Sequence, residues 1–461
     1  MRHFPALPLR PLLLCTLLTS TVSFANSDPS DAFSQGREIK QPPVVLPFRE
    51  RVAPISNLLR DRLDNLLPQL MRETGIDFWV VINREYNEDP VYLTLVPEPV
   101  FAARRTTMLV FHDRGERGGL ERFTVSRYPI RDFYETEWEG GDLDAQWQRL
   151  AEIIAQRNPK TIGINVSDHW PVADGLSAAL EKRLLTALPK RLHDRLKSAE
   201  DLAIRWLETR SEAELQVYPQ AVAIARAVIS EAFSDQVITP GVTMPADVAW
   251  YIRERFEALG LRPWFQPYVN VQRPGFNTDP EAPFFGRNDV AIQRGDVLHT
   301  DVGICYLRLC TDTQEMGYVL APGETDVPQG LKAALAVGNQ WQDVLTGEYV
   351  AGKTGNEILA AARAQQDRLD INGSIYTHPL GHFGHAPGPT IGMWDNQGPT
   401  PIRGDWPLYA NTVYAIEGNI KTAVPEWNGE LVQIKLEQDA VFDGEAVRYL
   451  AGRQTTWHVV R

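Results

Sequence analysis

Four acidic residues beyond position 300 of this 461-residue sequence lie in or beside apolar, strand-like segments: Asp301, Asp312, Glu417 and Glu437. An ionised carboxylate inside a sheet costs free energy unless a partner compensates its charge. Two carboxylates that come close without a cation force one of them to take up a proton. Bound cations remove both costs. The pattern therefore requires a fold in which these segments converge on metal ions.

Three histidines lie between the second and the third of these acids: His378, His382 and His385. Carboxylate oxygens suit manganese, and imidazole nitrogens suit zinc, cobalt or iron. Two such ions on one water generate a nucleophile near neutral pH and stabilise the oxyanion that forms when it attacks a carbonyl group. The residues therefore indicate a site for two divalent cations.

The order and spacing of these residues match a known motif set. The second aspartate follows the first by eleven residues, and the acids stand in DVG, CTD, AIEGN and KLEQD, with the histidines in PLGHFGHAPGP. This pattern resembles the pita-bread metallopeptidase superfamily, peptidase family M24, which holds methionine aminopeptidase, Xaa-Pro aminopeptidase, prolidase and creatinase. The resemblance covers essentially all of the chain after residue 25. Within the superfamily, the chain resembles the Xaa-Pro aminopeptidase, prolidase and creatinase branch.

The resemblance implies an α/β fold in which an N-terminal creatinase-like α/β domain precedes a C-terminal pita-bread catalytic domain. It implies an exopeptidase that hydrolyses an Xaa-Pro peptide bond through a hydroxide bridging two divalent ions, with manganese favoured and cobalt or zinc as alternatives. A peptide substrate and a homodimer are also implied. The implied metal ligands are Asp301, Asp312, His385, Glu417 and Glu437. The implied catalytic residues are Glu417 as general base, and His378 and His382.

The choice of the metal-binding histidine stays open between two residues. His385 fits the Gly-His-x-x-Gly motif of the family through Gly384 and Gly388. His382 follows Gly381 and has His378 four residues ahead, as in the prolidase pattern. We favour His385, and expect the other two histidines to line the site.

Two departures from the family motif affect the predicted activity. Active members carry a histidine 17 or 18 residues before the first aspartate, where this chain has Pro283 and Phe284. They carry another seven residues after the metal histidine, where this chain has Gly392 or Pro389. An alternative is therefore a metal-binding but catalytically silent relative that recognises a peptide or protein. A creatinase-like hydrolase is a third candidate, disfavoured because that branch lacks the five ligands.

The N-terminus is typical of an exported bacterial protein. Residues 1–25 combine Arg2 and Arg10 with a short leucine-rich stretch and small residues before Asn26, which predicts a signal peptide. The protein is then secreted or periplasmic, with no membrane contact after processing. The formal net charge of −13 argues against nucleic acid as a partner. After processing, Cys305 and Cys310 are left; they can pair in an oxidising compartment, or be two small apolar residues near a turn.

The remaining pattern predicts a polar linker over residues 26–45, an N-terminal domain over 46–205 and the catalytic domain over 206–461. The first domain alternates helical and strand patterns, with helices at 48–72, 147–157 and 172–188 and a buried strand at the apolar run 77–83. Ser211 and Glu214 form a capping box that begins a long helix. Strands are predicted at 296–303, 413–417, 430–437 and 439–443, and helices at 247–259, 332–346 and 356–369.

Overall fold

A computed structural model describes residues 43–276 and 279–461. The predicted signal peptide and most of the predicted linker lie outside the described residues. The α-helices are α1 (Phe48–Asp61), α2 (Leu67–Glu73), α3 (Tyr92–Leu95), α4 (Leu143–Arg157), α5 (Ala178–Ala187), α6 (Glu200–Glu208), α7 (Glu212–Ala232), α8 (Pro245–Ala258), α9 (Gln329–Thr346) and α10 (Gly355–Arg368). A π-helical segment, Arg62–Leu66, joins α1 to α2, so the predicted helix 48–72 is continuous but not uniform.

The strands of the N-terminal part form one mixed sheet in the order β4-β3-β2-β1-β5-β6. The apolar run of β1 occupies its centre and is buried on both faces, pairing antiparallel with β2 and parallel with β5. Helices cover the sheet, as expected when strands are apolar on both sides. These strands are β1 (Phe78–Arg84), β2 (Thr106–Asp113), β3 (Leu120–Val125), β4 (Glu135–Thr136), β5 (Ile162–Ile164) and β6 (Leu196–Ser198).

The predicted helix over residues 172–188 is wrong in its first part. A short 3-10 turn, Pro171–Ala173, precedes a loop, and α5 begins only at Ala178. The backbone at Gly175 packs so closely on Asp89 that a Cβ atom there would lie 2.1 Å from Asp89 Oδ2. The next residue, Leu176, donates its amide N–H to Asn165 O. Tertiary contacts therefore override the helical pattern, which glycine weakens.

The capping box at the start of α7 is confirmed. Glu214 N donates to Ser211 Oγ at 3.2 Å, and Ser211 N donates to Glu214 Oε2 at 2.9 Å. Pro219 lies inside α7, which continues through it. The helix before it, α6, crosses the predicted domain boundary at residues 205 and 206, and this boundary stays a prediction.

The C-terminal part is built on a nine-stranded sheet with the path β12-β14-β15-β11-β8-β7, to which β13, β16 and β17 pair at β14, β15 and β11. The two strands predicted at 430–437 and 439–443 are one strand, and β7 was not predicted. The strands are β7 (Tyr268–Gln272), β8 (Val297–Val302), β11 (Thr313–Val319), β12 (Gly373–Ile375), β13 (His378–Leu380), β14 (Thr412–Ala423), β15 (Leu431–Phe442), β16 (Val447–Tyr449) and β17 (His458–Val460).

The two faces of this sheet carry separate apolar cores. Helices α7 and α8 pack on one face, and α9 and α10 pack on the other. This is the sheet-and-helix arrangement of the pita-bread fold. No helix of the described residues has the length and apolar character needed to cross a bilayer.

A disulfide-linked hairpin connects β8 to β11. Its strands are β9 (Cys305–Tyr306) and β10 (Leu309–Cys310), and Cys305 and Cys310 are bonded. Of the two alternatives for these cysteines, a disulfide bond or two unbonded apolar residues, the structure has the disulfide bond. At the tip, Arg308 donates to Val96 O at 2.6 Å and to Glu98 Oε1 at 3.2 Å, so the hairpin touches the N-terminal part of the chain.

Candidate metal centre

Three adjacent pairs of strands bring the predicted acids to one place. Asp301 on β8 lies opposite Gln314 on β11, and Gln314 lies opposite Glu437 on β15. Glu437 lies opposite Glu417 on β14. Residues opposite each other on neighbouring strands direct their side chains to the same face. Asp312 precedes β11 directly, and so all four acids meet at the centre of the sheet.

His378 lies at the middle of this carboxylate cluster. It is on β13, opposite Ala415 of β14. Its Nε2 atom is 3.6 Å from Asp312 Oδ2, 3.8 Å from Glu417 Oε2 and 3.9 Å from Glu437 Oε1. Such separations are close to those between ligand atoms that share one divalent ion at about 2.1 Å. The geometry therefore places His378 where it could serve as a metal ligand, and the catalytic role suggested for it by the sequence stays a prediction.

The other two predicted histidines are placed differently. His385 stacks edge-on against His378, with ring centroids 4.6 Å apart, and offers a ligand atom near Asp312 and His378. The structure does not bring His382 to this cluster, because the chain turns after β13 and directs the ring away. Its Nε2 instead faces Glu214 at 4.0 Å.

The distances between the ligand atoms, and the buried polar atoms without a partner, show whether these residues fit metal ions. Ligand atoms within 4.8 Å of one another form three groups, which are Asp301 with Asp312 and Glu437, His378 with Glu417 and Glu437, and Asp312 with His378 and His385. Among the described residues, several buried atoms of the cluster have no hydrogen-bond partner: Asp301 Oδ1, Asp312 Oδ1, Glu437 Oε1 and His378 Nε2. Oxygen and imidazole donors of this kind suit manganese, cobalt or zinc. The donor set fits divalent metal ions.

The acids of the cluster resist ionisation in the absence of cations. Burial, and then the charges of neighbouring acids, raise the pKa values of Asp312 and Glu437 well above their usual range. Burial also raises the pKa of Glu417, with Asp301 adding to the effect, and raises the pKa of Asp301 to about 7. Divalent ions reverse this repulsion.

Three further residues of the centre were missed by the sequence reasoning. Asp439 accepts hydrogen bonds from Asp312 N at 3.0 Å and Thr313 Oγ1 at 3.3 Å, and so fixes the turn that presents Asp312. Gln314 and His299 form a hydrogen-bonded pair beside the acids. The available signal was alternation, since Asp439 shares a strand face with Glu437, and His299 with Asp301.

A cavity of about 490 Å³ opens onto the cluster at Asp301 and Glu417. Half-exposed Phe284 and Trp394 lie at its edge, with ring centroids 5.8 Å apart. Pro283 and Phe284, the two positions at which the resemblance implies a histidine, both line the cavity, so no imidazole is presented from either of them. Deeper in the cavity, buried Lys435 donates to Phe285 O at 2.9 Å.

Comparison with known proteins agrees with this centre. Residues 216–443 match the model of the metallopeptidase family M24, a segment that contains all four acids and the three histidines. The chain belongs to the metallopeptidase family M24. No curated protein sequence matches the chain.

Solved structures share the fold at low sequence identity. The X-Pro aminopeptidase from Thermotoga maritima MSB8 is 20% identical with a TM-score of 0.59, and the match covers 85% of this chain and 100% of that one. The Xaa-Pro dipeptidase from Bacillus anthracis is 16% identical with a TM-score of 0.56, covering 90% and 99%. Dipeptidase PepE from Mycobacterium ulcerans is 19% identical with a TM-score of 0.55, covering 88% and 98%. These likenesses establish the two-part pita-bread fold.

Proposed function

We propose that this metallopeptidase is an exopeptidase that hydrolyses Xaa-Pro peptide bonds with two divalent ions, manganese being favoured. The observation that carries the proposal is the position of His378 Nε2, within 3.6–3.9 Å of oxygens from Asp312, Glu417 and Glu437. Two of the structures with the same fold are named as an X-Pro aminopeptidase and an Xaa-Pro dipeptidase. Their names support the proline specificity.

The ligand atoms divide between two ion positions. One ion would be held by His378 with Asp312, Glu417 and Glu437, and His385 would add a ligand from the solvent side. The other would be held by Asp301 with Asp312 and Glu437, so two acids would serve both positions. When bound, two divalent ions lower the pKa of a shared water and polarise the carbonyl group under attack.

Glu417 is the residue that moves the proton. It is less buried than Glu437 and borders the cavity in which the peptide binds. Its carboxylate takes a proton from the attacking water and returns it to the leaving nitrogen. The walls of the cavity orient the peptide and exclude water around the scissile bond.

The decisive experiment measures metal content and hydrolysis together. The mature chain is freed of metal, reloaded with Mn²⁺ and assayed with Ala-Pro, a tripeptide with proline second, and Ala-Ala. Release of the first residue from the proline peptides alone supports the proposal. Asp312→Ala should lose both metal and turnover, because Asp312 serves both positions. Asp289→Ala, an exposed acid paired only with Arg287 in the described structure, should keep both.

The same assay addresses the alternative of a metal-binding but silent relative. Phe284 at the cavity edge, in place of a histidine that binds substrate in the family, favours this alternative. Full metal loading with no hydrolysis of any Xaa-Pro peptide would contradict the proposed activity and support a peptide-recognising role. Failure of the chain to bind any divalent ion would contradict both.

We also propose that the mature protein is secreted or periplasmic and works as a homodimer. The signal-peptide pattern of residues 1–25 supports export. The disulfide between Cys305 and Cys310 fits an oxidising compartment. Analytical ultracentrifugation of the mature chain tests the dimer, and a single species at monomer mass would contradict it.

A further inference from the structure

The side-chain amide of Gln314 lies inside the carboxylate cluster and contacts two of its acids, as a bound cation would. Its Nε2 atom lies 2.9 Å from Glu417 Oε1 and 2.9 Å from Glu437 Oε2. The residue is only 7% exposed, so water competes little for these bonds. A carboxamide NH2 group has two N–H donors and no net charge. Here both donors are directed to acidic oxygens.

A histidine fixes the orientation of this amide. Gln314 Oε1 lies 2.8 Å from Nε2 of buried His299. Because the NH2 group of Gln314 faces two acids, its oxygen is the acceptor and His299 Nε2 donates. The opposite orientation would place the amide oxygen against both acids. His299 therefore holds Gln314 with its donors towards the metal centre.

The carboxylate oxygens fall into two sets as a result. Gln314 bonds Glu417 Oε1 and Glu437 Oε2. The other oxygens of these two acids, Glu417 Oε2 and Glu437 Oε1, lie 3.8 and 3.9 Å from His378 Nε2. The side of the cluster that faces His378 is therefore free of the Gln314 amide, whereas on the opposite side one oxygen of each acid already accepts a hydrogen bond from it.

We propose that Gln314 is a positioning residue that makes the two metal positions unequal; this inference rests on the proposed two-ion function. An ion at His378 uses the oxygens that Gln314 leaves open. An ion at Asp301 would have to use either Glu437 Oε1, which the first ion would also bind, or Glu437 Oε2, which already accepts a hydrogen bond from Gln314 and is therefore the weaker donor. The His378 position therefore fills first. The expected difference in affinity is at least about tenfold, equivalent to about 1.4 kcal/mol.

The test is a calorimetric titration of the metal-free mature chain with Mn²⁺, with the bound metal counted by elemental analysis. The wild type should bind one ion at least about tenfold more tightly than the second. Gln314→Leu removes both donors and should tighten the second ion until the two affinities differ by about threefold or less. Gln433→Leu is the matched control: Gln433 is a buried glutamine on β15 whose amide bonds Pro283 O and Asn419 Oδ1, and the affinity gap should remain.

Gln314→Glu provides a second variant of nearly the same size, in case the leucine variant does not fold. Replacing the NH2 group by oxygen adds an anionic donor and should also tighten the second ion. Equal affinities in the wild type, or a second-ion affinity unchanged in both variants, would overturn the inference.

These outcomes separate the inference from the proposed function. Unequal ions that Gln314→Leu makes similar, in a protein that cleaves no Xaa-Pro peptide, would support the role of Gln314 and contradict the peptidase. Turnover of Xaa-Pro peptides by a protein that binds its two ions with equal affinity would support the peptidase and contradict the role of Gln314.

Discussion

The side chains of the metal centre are held by neighbours that do not themselves bind ions. Asp439 fixes the backbone at Asp312, and Gln314 fixes one oxygen each of Glu417 and Glu437. Hydrogen bonds of this kind orient ligands before an ion arrives, which reduces the ordering cost of binding. At the scale of single residues, the centre is therefore preorganised on rigid strands.

The three histidines should differ in their effect on metal binding. His378→Ala removes the imidazole between three carboxylates and should weaken the tighter Mn²⁺ ion by at least about 100-fold, because loss of an outer-shell partner alone costs about 10–100-fold. His382→Ala should leave Mn²⁺ affinity within about threefold, because its ring faces Glu214. Calorimetric titration of both variants checks this. A larger loss in His382→Ala than in His378→Ala would contradict the placement of the rings.

Glu315 gives the fold a pH-dependent stability on the other face of β11. Its carboxylate lies 2.5 Å from both Arg226 Nε and His458 Nε2. Burial alone would raise the pKa of Glu315, but these two partners outweigh burial and lower it to about 2. Because the folded pKa is depressed, this stabilisation is full above the unfolded pKa of about 4.3. It is lost as the pH falls towards 2.

Glu315→Gln should therefore lower the free energy of unfolding by about 3 kcal/mol at pH 7, since it breaks a buried ion pair. The deficit relative to wild type should shrink between pH 4 and 3. Urea unfolding at each pH measures it, with Glu348→Gln, which lies in a surface pair 3.8 Å from Lys353, as the control. A deficit that does not change with pH would show that the carboxylate's charge is not responsible.

At the scale of elements, the hairpin β9–β10 links three parts of the molecule. It leads from Asp301 to Asp312, its Cys310 N donates to Gly381 O at 2.8 Å, and its tip residue Arg308 reaches the N-terminal part. The hairpin therefore supports the turn that carries the histidines.

Replacing both Cys305 and Cys310 by serine should lower the free energy of unfolding by about 2 kcal/mol, the value expected for a bridge that closes so short a loop. Urea unfolding under oxidising conditions measures the change. Adding a reductant to the wild type should reproduce the loss and should not affect the serine variant. Equal stability of the three samples would contradict a stabilising bridge.

The sequence predicted elements best where a single physical signal dominates. The apolar run at residues 77–83 and the capping box at Ser211 gave β1 and the start of α7. The break before α5 was not predictable, because it depends on contact between Gly175 and Asp89, which are remote in sequence. The four acids could be predicted as site residues because a charged side chain in an apolar strand is unusual. The position of His378 could not be predicted, because it depends on the pairing of β13 with β14.

At the scale of the whole molecule, the described residues begin at residue 43, close to the end of the predicted linker, and the predicted leader lies outside them. When the full chain is produced with its own leader in a Gram-negative bacterium, the protein should appear in the periplasm with Asn26 as its first residue. Intact-mass measurement checks this. Leu13→Arg with Leu14→Arg interrupts the apolar stretch and should leave the chain uncleaved in the cytoplasm. A periplasmic protein that retains residues 1–25 would contradict the cleavage site.

The central claim is that divalent ions bind among Asp301, Asp312, His378, Glu417 and Glu437. The most direct measurement is a crystal structure of the Mn²⁺-loaded mature chain with anomalous diffraction data that locate the metal. We predict a strong anomalous peak about 2.0–2.3 Å from His378 Nε2 and from oxygens of Asp312, Glu417 and Glu437, distances typical of divalent ions with these ligands. A weaker peak should lie beside Asp301. Manganese bound elsewhere, with no peak among these side chains, would contradict the account.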